Sequence, residues 1–108
     1  MEKIVNLTPH TINFVDAEGN AVLTVQPSGT VARVKVENTM TGTFCGIPMT
    51  CSLYSDIENL PKREKDTVYV VSSIVAQRCP EREDVCIPNE SVRDAEGRII
   101  GCRSLGHI

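Results

Sequence analysis

Turn-forming residues punctuate this chain at short intervals, and that spacing favours short strands over long helices. The tetrapeptide Asp16-Ala17-Glu18-Gly19 recurs as Asp94-Ala95-Glu96-Gly97. Each copy separates two extended segments, and its glycine tolerates the positive φ of a tight turn. We therefore predict the same turn chemistry in two hairpins. The match is too short to indicate a repeat architecture.

The hydrophobic pattern between the turns predicts strands in the first half of the chain. Residues 11–26 read as a hairpin that places Ile12 and Phe14 on one face. Residues 30–36 alternate between apolar and polar side chains and predict another strand. Glycines and a proline within residues 41–54 predict a third hairpin.

The second half contains a continuous apolar strand at residues 67–71, a pattern typical of strands covered on both faces. Two serines and a short apolar run that ends at Pro80 predict a short helix. Residues 85–88 predict a short extended piece, and residues 91–103 a closing hairpin. We predict one α+β domain over residues 1–108, mainly antiparallel β, built of short hairpins with one short helix.

Composition excludes several functional classes. The 108 residues suit one domain, and 11 basic against 14 acidic side chains give a net charge of −3. That balance argues against a general binder of nucleic acid polymers. No apolar run is long enough for a membrane helix, and the first residues are too polar for a signal peptide. We therefore expect a cytoplasmic protein without membrane contact.

Cysteine spacing argues against both disulfides and metal. The number of cysteines is odd, and none forms a Cys-x-x-Cys pair, so neither a disulfide framework nor a zinc site is indicated. We predict buried or half-buried free thiols. The five cysteines are Cys45, Cys51, Cys79, Cys86 and Cys102.

Catalytic motifs are not evident in the sequence. The two histidines are His10, at the start of a predicted strand, and His107, the penultimate residue. No pair of carboxylates has a spacing that demands acid–base chemistry, and no phosphate-binding glycine loop occurs. We predict that the protein is not an enzyme. The alternative is a nucleophile among Cys79, Cys86 and Cys102 that acts with a histidine.

Two features suit the binding of a small anion. Ser72 and Ser73 lie where a predicted strand leads into the helix, so their hydroxyls offer donors. Taken alone, these serines are better explained by an ordinary helix cap. All basic residues after Lys65 are arginines, whose two-pronged guanidinium groups suit phosphate. The alternative is a set of surface arginines paired with neighbouring carboxylates. These arginines are Arg78, Arg82, Arg93, Arg98 and Arg103.

Aromatic residues are scarce. Phe14 and Tyr69 lie in predicted core strands, which leaves Phe44 and Tyr54 as the freer candidates for stacking on a base. With so few large side chains, a monomer of short strands leaves apolar faces incompletely covered. A symmetric homo-oligomer would cover them and would bring arginines of neighbouring copies together.

Three blocks of the sequence resemble a family of small phage proteins, the anti-Thoeris sponges. They are residues 6–12 (NLTPHTI), 69–76 (YVVSSIVA) and 92–103 (VRDAEGRIIGCR), which occur in the family's order and cover about a quarter of the chain. The resemblance implies sequestration without catalysis or cofactor, in the cytoplasm of an infected bacterial host. Sponges of this kind bind the cyclic ADP-ribose isomers made by bacterial TIR-domain enzymes, and some also hold cyclic di- or trinucleotides.

The resemblance also implies an assembly and a set of ligand-binding residues. Family members are multimeric, often hexameric, with pockets between subunits. Arg93 and Arg103 are implied as phosphate partners, and Asp94 as an acceptor for ribose hydroxyls or a base amine. The full implied set is Ser72, Ser73, Arg93, Asp94, Arg98 and Arg103.

The second hypothesis is a small phage structural or assembly protein that acts only through protein–protein contacts. It predicts an exposed apolar patch that pairs with a partner.

This chain departs from the pattern of the sponge family at one point. Gly97 and Gly101 favour a hairpin where the family has more helix.

Overall fold

The computed structural model describes residues 2–108, which form a mixed sheet, a separate two-stranded ribbon and, within that range, one short helix. This agrees with a small domain of mainly antiparallel strands and one short helix. The strands are β1 (Lys3–Asn6), β2 (Ile12–Val15), β3 (Ala21–Val25), β4 (Val36–Phe44), β5 (Ile47–Tyr54), β6 (Thr67–Val70), β7 (Val85–Arg93) and β8 (Ile99–Gly106), and the helix is α1 (Ser73–Gln77).

The six-stranded sheet has the order β1-β6-β7-β8-β2-β3. The pairs β2–β3 and β7–β8 are antiparallel hairpins, as predicted from the turns. The pairs β1–β6, β6–β7 and β2–β8 are parallel and join distant parts of the chain. The sheet therefore contains two local hairpins, β2–β3 and β7–β8. Parallel pairing joins these hairpins to each other and to β6, and joins β6 to β1.

The two Asp-Ala-Glu-Gly turns have the same hydrogen bonds, as predicted. In each turn the aspartate Oδ1 accepts from the backbone N–H groups two and four residues later. The distances are 3.0 and 2.9 Å at Asp16, and 2.9 and 3.0 Å at Asp94. Gly19 and Gly97 adopt φ of +85° and +84°. A carboxylate that caps its own turn and a glycine in the left-handed region explain why the tetrapeptide recurs.

Strand β6 separates two hydrophobic clusters, because adjacent residues of a strand point to opposite faces. Tyr69 belongs to the larger cluster, which includes Val75 and Ala76 of α1. Val70 belongs to a smaller cluster with Ile12 and Cys102. The members of the smaller cluster, including the half-buried Ile4, Phe14 and Leu105, all come from the sheet's own strands. We call this side of the sheet the open face.

Strands β4 and β5 form a ribbon, here called the arm, that lies outside the six-stranded sheet. All of its residues except Gly42 are exposed. The radius of gyration is 17.0 Å, against about 13 Å for a compact domain of this length. At the base of the arm, Lys35 and Ser55 are joined by hydrogen bonds in both directions, each 2.9 Å long. The arm therefore projects from the domain, and the hydrogen bonds between Lys35 and Ser55 hold the two ends of the ribbon together at its base.

Four details differ from the sequence prediction. Residues 30–35 do not form a regular strand, although Ala32 is buried and Arg33 forms an isolated bridge with Glu58. Residues 85–88 are the start of the long strand β7 rather than a separate piece. The helix ends at Gln77, ahead of Pro80. Strand β1 was not predicted, because its partner β6 follows only much later in the sequence.

Candidate ligand-binding cleft

A cleft of about 580 Å³ lies where the loop after β1, the start of α1 and the hairpin β7–β8 meet. This volume is within the range of small-molecule sites. It is called the cleft below. Its lining residues are Thr8, Pro9, His10, Thr11, Ile12, Asn13, Val71, Ser72, Ser73, Ile87, Pro88, Ser91, Ile99, Gly101 and Cys102.

The loop on one side of the cleft is held in shape by the buried Asn6, which is 1% exposed. Its Nδ2 donates to the backbone oxygens of His10 at 2.7 Å and Val25 at 3.2 Å. Its Oδ1 accepts from the N–H and the hydroxyl of Thr8, at 2.9 and 2.7 Å. One amide thus satisfies four polar groups and fixes the loop that carries Pro9 and His10.

Ser72 and Ser73 lie in the cleft with exposed side chains. Ser72 is the N-cap residue of α1 in extended conformation, but its side chain makes no capping hydrogen bond. The prediction of a serine helix cap is therefore confirmed for the position of Ser72, but its hydroxyl makes no capping hydrogen bond. Because the Ser72 hydroxyl does not cap the helix, it is available to a ligand in the cleft that Ser72 lines.

The lining combines apolar side chains with neutral donors and acceptors. Ile87, Pro88 and Ile99 contribute an apolar surface, and Ser91 and Thr11 add hydroxyls. None of the lining residues is an aspartate, glutamate, lysine or arginine. Such a site suits a flat apolar group together with hydroxyls or a partly shielded anion.

Three predicted site residues belong to the β7–β8 turn, outside the cleft lining. The Arg93 Nη1 donates to the Gly97 oxygen at 2.7 Å. Arg98 pairs through Nε with Asp94 Oδ2 at 3.3 Å and through Nη2 with Glu96. Within one chain these side chains stabilise the turn, which accords with the alternative of surface arginines paired with carboxylates.

Arg103 lies on β8 with an exposed side chain, beside a shallow hollow of about 310 Å³ on the open face. The hollow is lined by Ile4, Phe14, Val22, Leu23, Arg103, Ser104 and Leu105. Of the six residues that the resemblance implied, the structure brings Ser72 and Ser73 together in the cleft. It distributes the others between the turn and the hollow.

The remaining arginines also have local partners. The Arg78 guanidinium lies 5.4 Å from the centre of the Tyr54 ring, in a cation–π contact. Arg82 is hydrogen-bonded to Asp84. The arginines after Lys65 therefore do not converge on one point of a single chain.

The five thiols fall into two groups. Cys79, Cys86 and Cys102 are buried, and burial raises the pKa of each, whereas Cys45 and Cys51 are exposed. The prediction of buried or half-buried thiols is thus wrong for the two cysteines of the arm segment, because the arm has no covering layer.

One thiol contacts a histidine. The Cys86 Sγ lies 3.7 Å from His107 Nδ1. A buried thiol with a raised pKa remains protonated at neutral pH, whereas nucleophilic cysteines need thiolate character. The burial of Cys86, which raises its pKa, therefore gives little support to the cysteine–histidine alternative.

Sequence reasoning did not single out Thr8, Thr11 or Ser91 as lining residues. The available signal was the first block of the resemblance, whose Asn-Leu-Thr-Pro-His run forms the loop beside the cleft.

No family model, curated protein or solved structure matches this chain. In residues 2–108, no three metal-ligating side chains gather into a site, and no helix has the length and apolarity to cross a membrane.

Proposed function

We propose that this protein is a phage sponge that sequesters a cyclic nucleotide immune signal without cleaving it, inside an infected host cell. The cleft carries this proposal, because it is large enough for a small ligand and combines an apolar wall with convergent hydroxyls. The resemblance of residues 6–12, 69–76 and 92–103 to the sponge family supplies the ligand class, cyclic ADP-ribose isomers or cyclic oligonucleotides.

The chemistry of the cleft accounts for part of such a ligand. Ile87 and Ile99 provide a surface on which a base can lie, and the hydroxyls of Ser72, Ser73 and Ser91 can donate to phosphate or ribose oxygens. The phosphate charge needs further partners. In the proposed homo-oligomer, arginines of a neighbouring copy, with Arg93 and Arg103 as the candidates, complete the site.

Thermal-shift measurements against a panel of cyclic nucleotides test this function. We expect a cyclic ADP-ribose isomer or a cyclic di- or trinucleotide to raise the Tm, and to be recovered intact after denaturation. Recovery of a cleaved nucleotide would contradict sequestration without catalysis. No Tm shift with any nucleotide would favour the second candidate below.

Two sets of variants locate the site. Ser91→Tyr fills the cleft and should abolish the Tm shift, whereas Thr50→Tyr, on the exposed arm, should preserve it. Arg93→Ala and Arg103→Ala should weaken binding while the domain stays folded. Unchanged affinity in both arginine variants would remove these side chains from the site.

The second candidate is a small phage structural or assembly protein that acts through protein contacts. The exposed apolar residues of the arm favour it, since Phe44 is 70% and Ile47 66% exposed. Under this function no nucleotide changes the Tm, and the Ser91→Tyr variant is fully active in assembly.

A further inference from the structure

The arm has one strongly apolar face. Residues paired directly across an antiparallel ribbon share a face, and alternate residues of a strand do so too. Phe44 pairs with Ile47, and Met49, Cys51 and Leu53 follow Ile47 at alternate positions. Phe44, Ile47 and Met49 also line a common depression. Thr39 and Glu37 pair with Cys51 and Leu53 and therefore share this face near its base. We call the face that carries Phe44, Ile47, Met49, Cys51 and Leu53 the apolar face of the arm.

The opposite face has a different character. It carries the pair Asn38 and Ser52, whose side chains are hydrogen-bonded at 2.7 Å, together with Met40 and Thr50. At its base, Tyr54 lies under the Arg78 guanidinium of the domain. This face therefore has a hydrogen-bonded polar pair and a contact with the domain of its own chain. On the apolar face the polar residues Glu37 and Thr39 lie near the base, whereas Phe44, Ile47 and Met49 form an apolar outer end.

A two-stranded ribbon with bare faces is marginally stable in water and gains stability when one face is covered. The side chains of Phe44, Ile47, Met49 and Leu53 are 70%, 66%, 52% and 56% exposed. Together they leave on the order of 400 Å² of apolar surface in water, which is the size of the largest patch on a typical monomer, and such patches are often functional.

The open face of the sheet offers a surface of matching chemistry. Apart from Arg103 and Ser104, its hollow is lined by apolar side chains. Leu23, which pairs with Phe14 and therefore shares its face, is 47% exposed. It lies on β3, which is an edge strand of the sheet. An apolar sheet face is normally covered by a second layer of strands or helices, and among the described residues no such layer covers the open face.

We propose that the apolar face of the arm packs into the hollow on the open face of a second copy of this chain. Both surfaces occur on every copy, so each copy gives one arm and receives another. Two such contacts bring the buried surface to the roughly 800 Å² per partner of a standard interface. This inference rests on the homo-oligomer of the proposed function and names its contact surfaces, but it involves no ligand. Because Arg103 lines the hollow, an arm packed there leaves Arg93 as the arginine available to a neighbouring cleft.

Charge favours the same arrangement. Glu37 is the one charged residue between Val36 and Tyr54, and Arg103 is the one charged residue of the hollow. Two copies that each carry a net charge of −3 can therefore approach through nearly neutral surfaces. The few charges that are present have opposite signs.

The test is the mass in solution of the full-length protein and three arginine variants, measured by light scattering at tens of micromolar. Met49→Arg places a charge on the apolar face of the arm, and Leu23→Arg places one in the hollow. Met40→Arg is the matched control on the opposite face of the arm, where Met40 is 64% exposed. We expect the wild type and Met40→Arg to be oligomers, and Met49→Arg and Leu23→Arg to have the 11.8 kDa mass of a monomer.

Three results would overturn the proposal: a monomeric wild type, an oligomeric Met49→Arg variant, or an oligomeric Leu23→Arg variant. The last result would indicate that arms pack on arms. Alkylation gives a readout that does not depend on the folding of variants. Cys51, on the apolar face, should react more slowly in the wild type than Cys45 at the tip, and equal rates would contradict the packing.

Discussion

The Arg82 guanidinium binds the Asp84 carboxylate through two hydrogen bonds, Nε to Oδ1 and Nη2 to Oδ2, each 2.8 Å long. The same Nη2 donates to the Pro61 oxygen at 3.1 Å. The Asp84 side chain is only 9% exposed. The pair therefore ties the connection between the arm and β6 to the start of β7.

Breaking this pair should destabilise the domain. Asp84→Asn removes the charge that Arg82 faces, and we expect the free energy of unfolding to fall by about 2 kcal/mol. Urea denaturation measures the change. Glu81→Gln, at an exposed carboxylate nearby, is the control and should leave stability nearly unchanged. An Asp84→Asn variant as stable as the control would show that the pair contributes nothing net.

The same pair should make stability depend on pH. The hydrogen bond from Arg82 lowers the pKa of Asp84 below its usual value of 3.8. A lowered pKa in the folded state means that the stabilisation is complete above the unfolded pKa and is lost as the pH falls through the folded pKa. The difference in unfolding free energy between wild type and Asp84→Asn should therefore be constant from pH 5 to 7 and shrink at acidic pH. A difference that grows on acidification would contradict this.

The four hydrogen bonds of the buried Asn6 side chain should make a large contribution to the free energy of unfolding. Asn6→Asp replaces the Nδ2 donor with an acceptor that faces the oxygens of His10 and Val25, so we expect a loss of about 2–4 kcal/mol. Asn38→Asp is the matched control, because its Oδ1 keeps the hydrogen bond from Ser52. Thermal denaturation compares the two variants, and equal Tm values would argue against the network around Asn6.

Gly101 should not tolerate a side chain. A Cβ at this position would lie 2.6 Å from the backbone oxygen of Asn13, on the neighbouring strand β2. We expect Gly101→Ala to cost about 2 kcal/mol, because backbone must shift to accept the methyl group. Gly42→Ala, where nothing lies within 4 Å, should be close to neutral. Chemical denaturation of both variants decides whether β2 and β8 approach this closely.

Thiol reactivity should follow burial. Burial raises the pKa of Cys79, Cys86 and Cys102, so these thiols should resist iodoacetamide in the native protein near pH 8. Cys45, exposed at the tip of the arm, should react quickly. Mass spectrometry of peptides measures each site. Fast reaction of a buried thiol without denaturant would show that its cluster opens readily.

Local signals in the sequence predicted the local structure. The turns at Gly19 and Gly97 and the third hairpin are confirmed, because turn chemistry and alternation act between residues close in the chain. The parallel pairs were not predicted, since no short pattern links β1 to β6 or β2 to β8. The arm was predicted as a hairpin, but nothing in its alternation indicated that neither face would be covered.

The candidate site was predictable only in part. Ser72 and Ser73 were found because they mark a strand-to-helix junction, a local feature. The opposite wall of the cleft, with Thr11 and Ser91, depends on the parallel pairing of β2 with β8 and was therefore missed. The arginines were chosen by residue type, and within one chain two of them, Arg82 and Arg98, are held by the neighbouring carboxylates Asp84 and Asp94.

The parallel pairing also has a consequence for biosynthesis. Lys3 pairs with Thr67, and Phe14 pairs with Cys102. The chain as far as Cys102 must therefore have left the ribosome before the sheet can close, whereas the hairpin of β2 and β3 can form on the emerging chain. During that interval the nascent strands expose their unpaired edges, which is the period in which a chaperone would engage them.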